Sequence, residues 1–235
     1  MTHVVVSGPR DWASSPGVVV FDLDGTVADS QEGILACLHE TLALYGRRAE
    51  DHELRALIGP PLDESFRQLG FAEGELVEVV DVYRHAYDRV GVALAHPYDG
   101  VIEVLRALRE RGVTLALATA KRVDFAERML EDFGVRDLFA AVAGATVDDR
   151  LTTKEEIVAE VRWLVDAVAG PAWMVGDRRH DVEAAATHGL VAVGALWGYG
   201  SLEELRSAGA QWLVAHPVEL LAGEASGAAP RAVTP

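Results

Sequence analysis

Val18-Val19-Val20-Phe21-Asp22-Leu23-Asp24-Gly25-Thr26 carries the sharpest signal in the chain. Four consecutive large apolar residues suit a strand covered on both faces, which is the condition of a parallel sheet. The run then ends in acids. Strand side chains alternate, so Asp22 and Asp24 share a face while Leu23 points away, and Gly25 permits a tight turn. Val113–Ala118, ending at Thr119, and Ala172–Gly176, ending at Asp177, repeat the shape. Leu138–Ala143, Val191–Ala195 and Gln211–Val214 are weaker strand candidates.

Helical patterns separate these runs. Val101, Val104, Leu105 and Leu108 precede Gly112, and Ile157, Val158, Val161, Leu164 and Val165 precede Gly170-Pro171, a helix stop. Thr153-Lys-Glu-Glu156 and Ser201-Leu-Glu-Glu204 read as capping boxes. Strands alternating with helices predict an α/β fold, a Rossmann-like parallel core covered on both faces. From about Asp29 to Ala95 nothing reads as a buried strand. Ile34, Leu35, Leu38 and Leu42 fit a helix, as do Leu76, Val77, Val80, Tyr83 and Tyr87, with Gly59-Pro60-Pro61 between them. The expected organisation is a core of 17–28 and 96–221, an inserted all-helical unit of 29–95, a loose arm at 1–16 and a frayed tail at 222–235.

The composition narrows the function. The 235 residues hold 37 acids against 21 bases, a net charge of −16. Such a surface repels phosphate backbones and anionic lipid, so no stable nucleic-acid partner and no membrane is expected. A single cysteine, Cys37, excludes an internal disulfide and a thiolate zinc site. No apolar run approaches the ~18 residues of a membrane span. Val4-Val5-Val6 is too short for a signal-peptide core. The expectation is a soluble, cytoplasmic protein.

In an open parallel sheet, ligands bind at the carboxyl ends of the strands, where Asp22, Thr119 and Asp177 gather. Carboxylates this close repel one another, and a hard divalent cation relieves that repulsion, with oxygen ligands selecting magnesium. The pair Asp22 and Asp24 also suits a plain capping turn after a strand. The basic residues are 19 arginines and only two lysines, Lys121 and Lys154. Lys154 falls in the first turn of a helix, where the dipole disfavours a cation, which suggests a site needing a compact ammonium. Lys121 reads equally as a site residue or a solvated surface lysine. Asp181 suits an N-cap, a place behind a metal, or both. His180 and His188 read as surface or core residues rather than ligands.

The Asp22-Leu-Asp-Gly-Thr26 element, Thr119, Lys154 and Gly-Asp177-x-x-x-Asp181, in that order, resemble the four motifs of the haloacid dehalogenase-like phosphohydrolase superfamily. The insert resembles its C1-type helical cap. Ile58-Gly-Pro-Pro-Leu62, Ala118-Thr-Ala-Lys121, Met174-Val-Gly-Asp-Arg178 and Trp197-Gly-Tyr-Gly200 are similar to its phosphoglycolate phosphatase-like and 5′-nucleotidase-like branch. The resemblance implies a magnesium-dependent phosphatase acting on a small phosphorylated metabolite. It implies that Asp22 attacks phosphorus, forming an aspartyl-phosphate, and that Asp24 protonates the leaving oxygen and then activates water. By the same resemblance, Thr119, the backbone N–H of Ala120, and Lys154 would contact the phosphoryl group. Asp22, Asp177 and the carbonyl of Asp24 would hold magnesium, and Asp181 would orient that shell. Ile58, Gly59 and Pro60 of the cap would read the leaving group. Retention of Asp24 argues for phosphoryl transfer over dehalogenation. A phosphomutase of the β-phosphoglucomutase kind and a protein-directed regulatory member are the alternatives.

Overall fold

Along the chain, β1 (Val18–Phe21) and β2 (Ala28–Asp29) precede the helices α1 (Gln31–Leu44), α2 (Asp51–Arg55), α3 (Leu62–Gln68) and α4 (Leu76–Ala86). Then come β3 (His96–Pro97), α5 (Val101–Glu110), β4 (Thr114–Arg122), α6 (Val123–Asp132), β5 (Phe139–Ala145) and α7 (Lys154–Leu164). Last are β6 (Ala172–Gly176), α8 (Arg179–Thr187), β7 (Val191–Ala195), α9 (Leu202–Ala208), β8 (Trp212–Val214) and β9 (Arg231–Ala232). This is a computed structural model, and it describes residues 16–147, 150–165, 168, 170–221 and 231–232. The expected arm, apart from Pro16, and the expected tail, apart from β9, lie outside the described residues.

The sheet runs β5-β4-β1-β6-β7-β8-β9. The first strand is central, paired in parallel with β4 on one side and β6 on the other, with Val20 opposite both Ala116 and Met174. Every pairing from β5 to β8 is parallel, while β9 adds an antiparallel edge against β8. The order reverses at β1, so the crevice at its carboxyl end is where a doubly wound sheet binds ligands.

Alternation along the strands builds two different faces. Val19, Phe21, Leu115, Leu117 and Val175 form a bulky face against α5 and α6. Val18, Val20, Ala116, Ala118, Ala141 and Ala143 form a shallow face against α7 and α8. Small side chains there let α7 approach the sheet closely.

β4 differs from expectation. It does not stop at Thr119 but continues to Arg122, where the ladder with β5 resumes after a register shift between Thr119 and Arg122. The shift re-aims the side chains just past the strand's buried part. Ser201 caps α9 by accepting from Glu204 N at 3.0 Å, but the Glu204 carboxylate turns away to Arg178 and Arg179, so the expected box is only half formed.

Between β2 and β3 the chain is helical, with α4 passing into a π-helical turn at Tyr87–Gly91. The two connecting strands pair with each other, Ala28 opposite Pro97 and Asp29 opposite His96. Val77 was expected on the buried stripe of α4, but it is 78% exposed. The buried stripe is Leu76, Val79, Val80, Tyr83 and Ala86. An aromatic chain joins the insert to the core. Phe66 meets Phe71 and Tyr83 edge-on, Tyr83 stacks on Tyr87 at 5.8 Å, and Tyr87 leans on Phe125 of α6 at 5.5 Å.

Phe66 is fully buried at the middle of that chain. Phe66→Ala is expected to cost about 3–5 kcal/mol in denaturant unfolding through the cavity it leaves. Val77→Ala, on the open side of the neighbouring helix, is expected to stay within about 0.5 kcal/mol.

Candidate active site

The site begins where β1 stops. Asp22 N still donates to Val175 O at 2.9 Å, and the chain then curls: Val27 N and Ala28 N both donate to Leu23 O, at 2.9 and 2.8 Å. Gly25 takes φ +83°, and a Cβ there would lie 2.3 Å from Asp177 Oδ2. Glycine is therefore required twice over, by its dihedral and by the approach of the acid. Asp177 follows β6 with no exposure to solvent. Its Oδ1 accepts from Thr26 Oγ1 at 3.2 Å and its Oδ2 from Tyr199 N at 2.8 Å.

Lys154 is the first residue of α7. Thr153 caps the helix, accepting from Glu156 N at 3.3 Å, while Glu156 Oε2 accepts from Thr153 N at 3.0 Å. Against the helix dipole, the buried Lys154 ammonium points into the acids. It lies 2.7 Å from Asp22 Oδ1, 2.8 Å from Asp181 Oδ1 and 3.0 Å from the Ala118 carbonyl. One ammonium thus pairs with two carboxylates and donates to one carbonyl. Asp181 is not the N-cap of α8. The helix starts two residues earlier, and Asp181 reaches back so that its Oδ2 accepts from Arg178 N at 3.0 Å.

Asp22, Asp177 and Asp181 each bring a carboxylate oxygen within 4.8 Å of the others. Burial pushes the Asp22 carboxyl up to about 7 against the pull of Lys154, and Asp181 and Asp24 add to the rise. Burial, then Asp181 and Asp22, push Asp177 well above the usual carboxylate range. Burial works to lower the Lys154 pKa, but Asp181 and Asp22 outweigh it and raise it above the ordinary lysine value. Three buried carboxylates facing one ammonium leave a deficit of positive charge, and an all-oxygen donor set of this kind fits a hard divalent cation. Asp181 Oδ2 accepts from Arg178 N, while its buried Oδ1 is ion-paired with Lys154 and accepts no hydrogen bond among the described residues.

Asp24 belongs to a second network. Ser30 Oγ donates to its Oδ1 at 2.5 Å, and Lys121 Nζ lies 3.0 Å from its Oδ2. Lys121 also donates to Tyr87 Oη at 2.9 Å and sits 4.1 Å from the centre of that ring. Ser30 stands at the N-cap of α1, yet its hydroxyl serves Asp24 instead of the helix. Its backbone N–H donates to Tyr199 Oη at 2.9 Å.

A cavity of about 440 Å³ opens beside Asp24, between core and insert. Ala120 and Lys121 line it from β4, and Ile58, Gly59 and Pro60 from the insert. Arg178 bridges the two sides: its Nη1 donates to the Ile58 carbonyl, while its Nε donates to Glu204 Oε1 at 2.9 Å. Gly59, at φ +113°, leaves room for that guanidinium, since a Cβ would lie 3.0 Å from Nη1.

The structure thus gathers Asp22, Asp177, Asp181 and Lys154 at one point and places Asp24, Ala120 and the Ile58–Pro60 turn around the neighbouring cavity. Thr119 is buried between them, its Oγ1 accepting from Lys121 N at 3.2 Å. His180 and His188 lie outside the acid cluster, and His188 Nε2 is 3.0 Å from the Glu155 carbonyl. Sequence reasoning missed Ser30, Tyr87, Arg178 and Tyr199. Tyr87 reads as helix core in the sequence, and Ser30 carries no signal of its own there. The glycines flanking Tyr199 were the available signal, since a Cβ at Gly198 or Gly200 would collide with Gly25 or Asp177.

Comparison with known proteins agrees with this arrangement. Residues 19–195 match the haloacid dehalogenase-like hydrolase family. The chain is 38% identical over 193 residues to the tyrosine-protein kinase PtkA of Mycobacterium tuberculosis, covering 80% of this chain but only 66% of that protein. It is 36% identical over 200 residues to a 5′-nucleotidase of Pseudomonas aeruginosa, covering 84% of this chain and 90% of that protein. The crystal structure of a predicted phosphatase from Clostridium acetobutylicum superposes with a TM-score of 0.81 at 34% identity, covering 88% of this chain and 97% of the other. The family match spans residues 19–195, well over half of the sequence and including the acids and lysine gathered at the strand ends, and the chain belongs to the haloacid dehalogenase-like hydrolases.

Proposed function

We propose that this protein hydrolyses a small phosphate monoester with magnesium, through an aspartyl-phosphate on Asp22. The carrying observation is the division of labour at Asp22. Its Oδ1 is held by Lys154 at 2.7 Å and by Leu23 N at 2.7 Å, while among the described residues no hydrogen bond reaches Oδ2. One oxygen is fixed and the other is free to attack.

Asp22 Oδ2 forms a bond to phosphorus as the ester P–O bond breaks, and the leaving oxygen takes a proton from Asp24. Asp24 then accepts a proton from the water that attacks phosphorus and releases Asp22. Ser30 and Lys121 orient Asp24 for both steps. Lys154 offsets the charge on the transferring group, with Thr119 and the Ala120 N–H beside it. Asp22, Asp177 and the Asp24 carbonyl hold magnesium, which when bound supplies charge neutralisation for nucleophile and phosphoryl oxygens. Asp181 positions Lys154. The Ile58–Pro60 turn faces the leaving group across the cavity.

The relative named a tyrosine-protein kinase favours a second reading, transfer of the phosphoryl group to a protein. Terminally labelled ATP with an added tyrosine-containing substrate, run beside turnover of an aryl phosphate monoester, separates the two. Transfer leaves the label on tyrosine, whereas the monoesterase reading expects release of phosphate from the aryl ester and no label on tyrosine.

Asp22→Asn is expected to remain folded by circular dichroism and to lose turnover of a generic aryl phosphate. An excess of chelator is expected to abolish wild-type turnover, and magnesium to restore it. Full rates in either case would remove the proposed chemistry.

Asp177→Asn is expected to raise the melting temperature of the metal-free protein and to erase its rise on adding magnesium. The amide can still accept from Tyr199 N, and its NH₂ can donate to Thr26 once that hydroxyl turns. A buried, repelled carboxylate is thereby removed, at about 2–4 °C for each kcal/mol gained. A variant that melts lower than wild type and still responds to magnesium would show that Asp177 is neither strained by its neighbours nor a ligand.

A further inference from the structure

The Trp197-Gly-Tyr-Gly200 run after β7 takes no part in the chemistry proposed above, yet it is packed into the centre of the site. Trp197 Nε1 donates to Thr26 O at 3.0 Å, and Tyr199 N donates to Asp177 Oδ2 at 2.8 Å. A Cβ at Gly198 would collide with Gly25 O and Asp177, and one at Gly200 with Asp177 O. Two glycines therefore let one short loop press at once on the turn that carries Asp24 and on the end of β6.

From that anchor the Tyr199 side chain reaches the start of α1. Its Oη accepts from Ser30 N at 2.9 Å and donates to Asp29 Oδ1 at 3.2 Å. Ser30 is fully buried. Its N–H precedes the first turn of α1 and has no partner inside the helix. Tyr199 Oη is thus the acceptor that keeps this donor from being orphaned away from water. Ser30 Oγ in turn donates to Asp24 Oδ1 at 2.5 Å. One residue is tied to Asp177 by its backbone and to Asp24 by its hydroxyl, through Ser30.

The second tie bears on proton transfer. Lys121 Nζ, 3.0 Å from Oδ2, holds the Asp24 carboxyl at one oxygen, and Ser30 Oγ holds it at the other. A carboxyl held at one point can turn about its bond to Cβ, whereas two points fix its plane. A general acid has to lie within about 2.6–3.2 Å of the oxygen it protonates, so the plane decides whether the proton arrives.

We infer that Tyr199 is a positioning residue for leaving-group protonation, its hydroxyl setting Ser30 and, through Ser30, the orientation of Asp24 relative to the Asp177 end of the site. The inference rests on the phosphatase reading above and gives the Trp197–Gly200 loop its task. Tyr199 adds no charge at phosphorus. Its loss is therefore felt according to how much the leaving oxygen needs a proton. A nitrophenolate departs readily as the anion, whereas an alkoxide does not depart unprotonated.

The test measures kcat/KM with magnesium for a series of phosphate esters, from nitrophenyl through phenyl to simple alkyl phosphates. This constant covers the steps up to departure of the leaving group, so it isolates protonation by Asp24 from the later attack of water. Tyr199→Phe is expected to lose about 10- to 100-fold on the alkyl esters, part of the full worth of a general acid, and far less on the nitrophenyl ester. Its rate then depends more steeply on leaving-group pKa than that of the wild type, in the direction of Asp24→Asn. Its melting temperature is expected to rise with magnesium as the wild type's does, because the bond to Asp177 comes from the backbone. Ser30→Ala is expected to steepen the same dependence. The double variant Ser30→Ala/Tyr199→Phe is expected to lose no more than the worse single variant, since one residue acts through the other. An equal loss at every leaving group, a wild-type dependence in Tyr199→Phe, or losses that multiply in the double variant would each overturn the assignment while leaving the phosphatase reading in place. So would a Tyr199→Phe protein that fails to fold by circular dichroism, for the hydroxyl would then be a structural bond. If the wild-type protein turns over none of the esters, the phosphatase reading fails and this inference falls with it.

Discussion

The buried ammonium of Lys154 is the constraint on which the site depends. It joins four elements: its own helix α7, the end of β1 through Asp22, the first turn of α8 through Asp181, and β4 through the Ala118 carbonyl. A lysine this deep is expensive unless every donor is met, and removing one partner leaves an uncompensated charge. The acids have the mirror-image problem, since without Lys154 they would crowd together unpaired. Neither half is tolerable alone, so the strand ends and the two helix starts must arrive together. The alanines on the sheet face under α7 serve the same end, because larger side chains there would hold the helix too far out for its first residue to reach β1.

Much of this could be read from the letters. The apolar runs ending in Asp22 and Asp177 marked buried strands. The capping box at Thr153 placed Lys154 at a helix start, and the absence of strand pattern marked the helical insert. What stayed hidden was settled by tertiary contact. β4 outlasts its apolar run because β5 pairs with Arg122 beyond a register shift, and no local pattern announces that. Glu204 abandons its capping role because Arg178 offers a charged partner across space. Val77 reads as helix core by spacing, yet the cavity lies on its side of α4. Ser30 shows the general difficulty: the residue type that caps helices is also the type that serves a buried acid.

The two lysines divide between them the work of an otherwise arginine-rich chain. Lys154 holds the core together, and Lys121 ties the core to the insert. The second task needs an ammonium that can contact Asp24, meet the Tyr87 hydroxyl and rest on the Tyr87 ring at once. A planar guanidinium cannot present donors in those directions from one compact centre. Arg178 has the opposite requirement. Its partners, the Glu204 carboxylate and the Ile58 carbonyl, lie on different elements, and a rigid fork with separate nitrogens serves them both.

Lys121 and Arg178 connect the insert to the strand ends that form the site. Lys121 lies two residues beyond Thr119, and Arg178 follows Asp177 directly. Displacing the insert would therefore release Lys121 from Tyr87 and Arg178 from Ile58, and with them part of the support for Asp24 and for the first turn of α8. The position of the insert and the arrangement of the acids are not independent variables. An arrangement of this kind lets contacts made by the far end of a ligand be felt at the strand ends, because they share side chains and not merely a common scaffold.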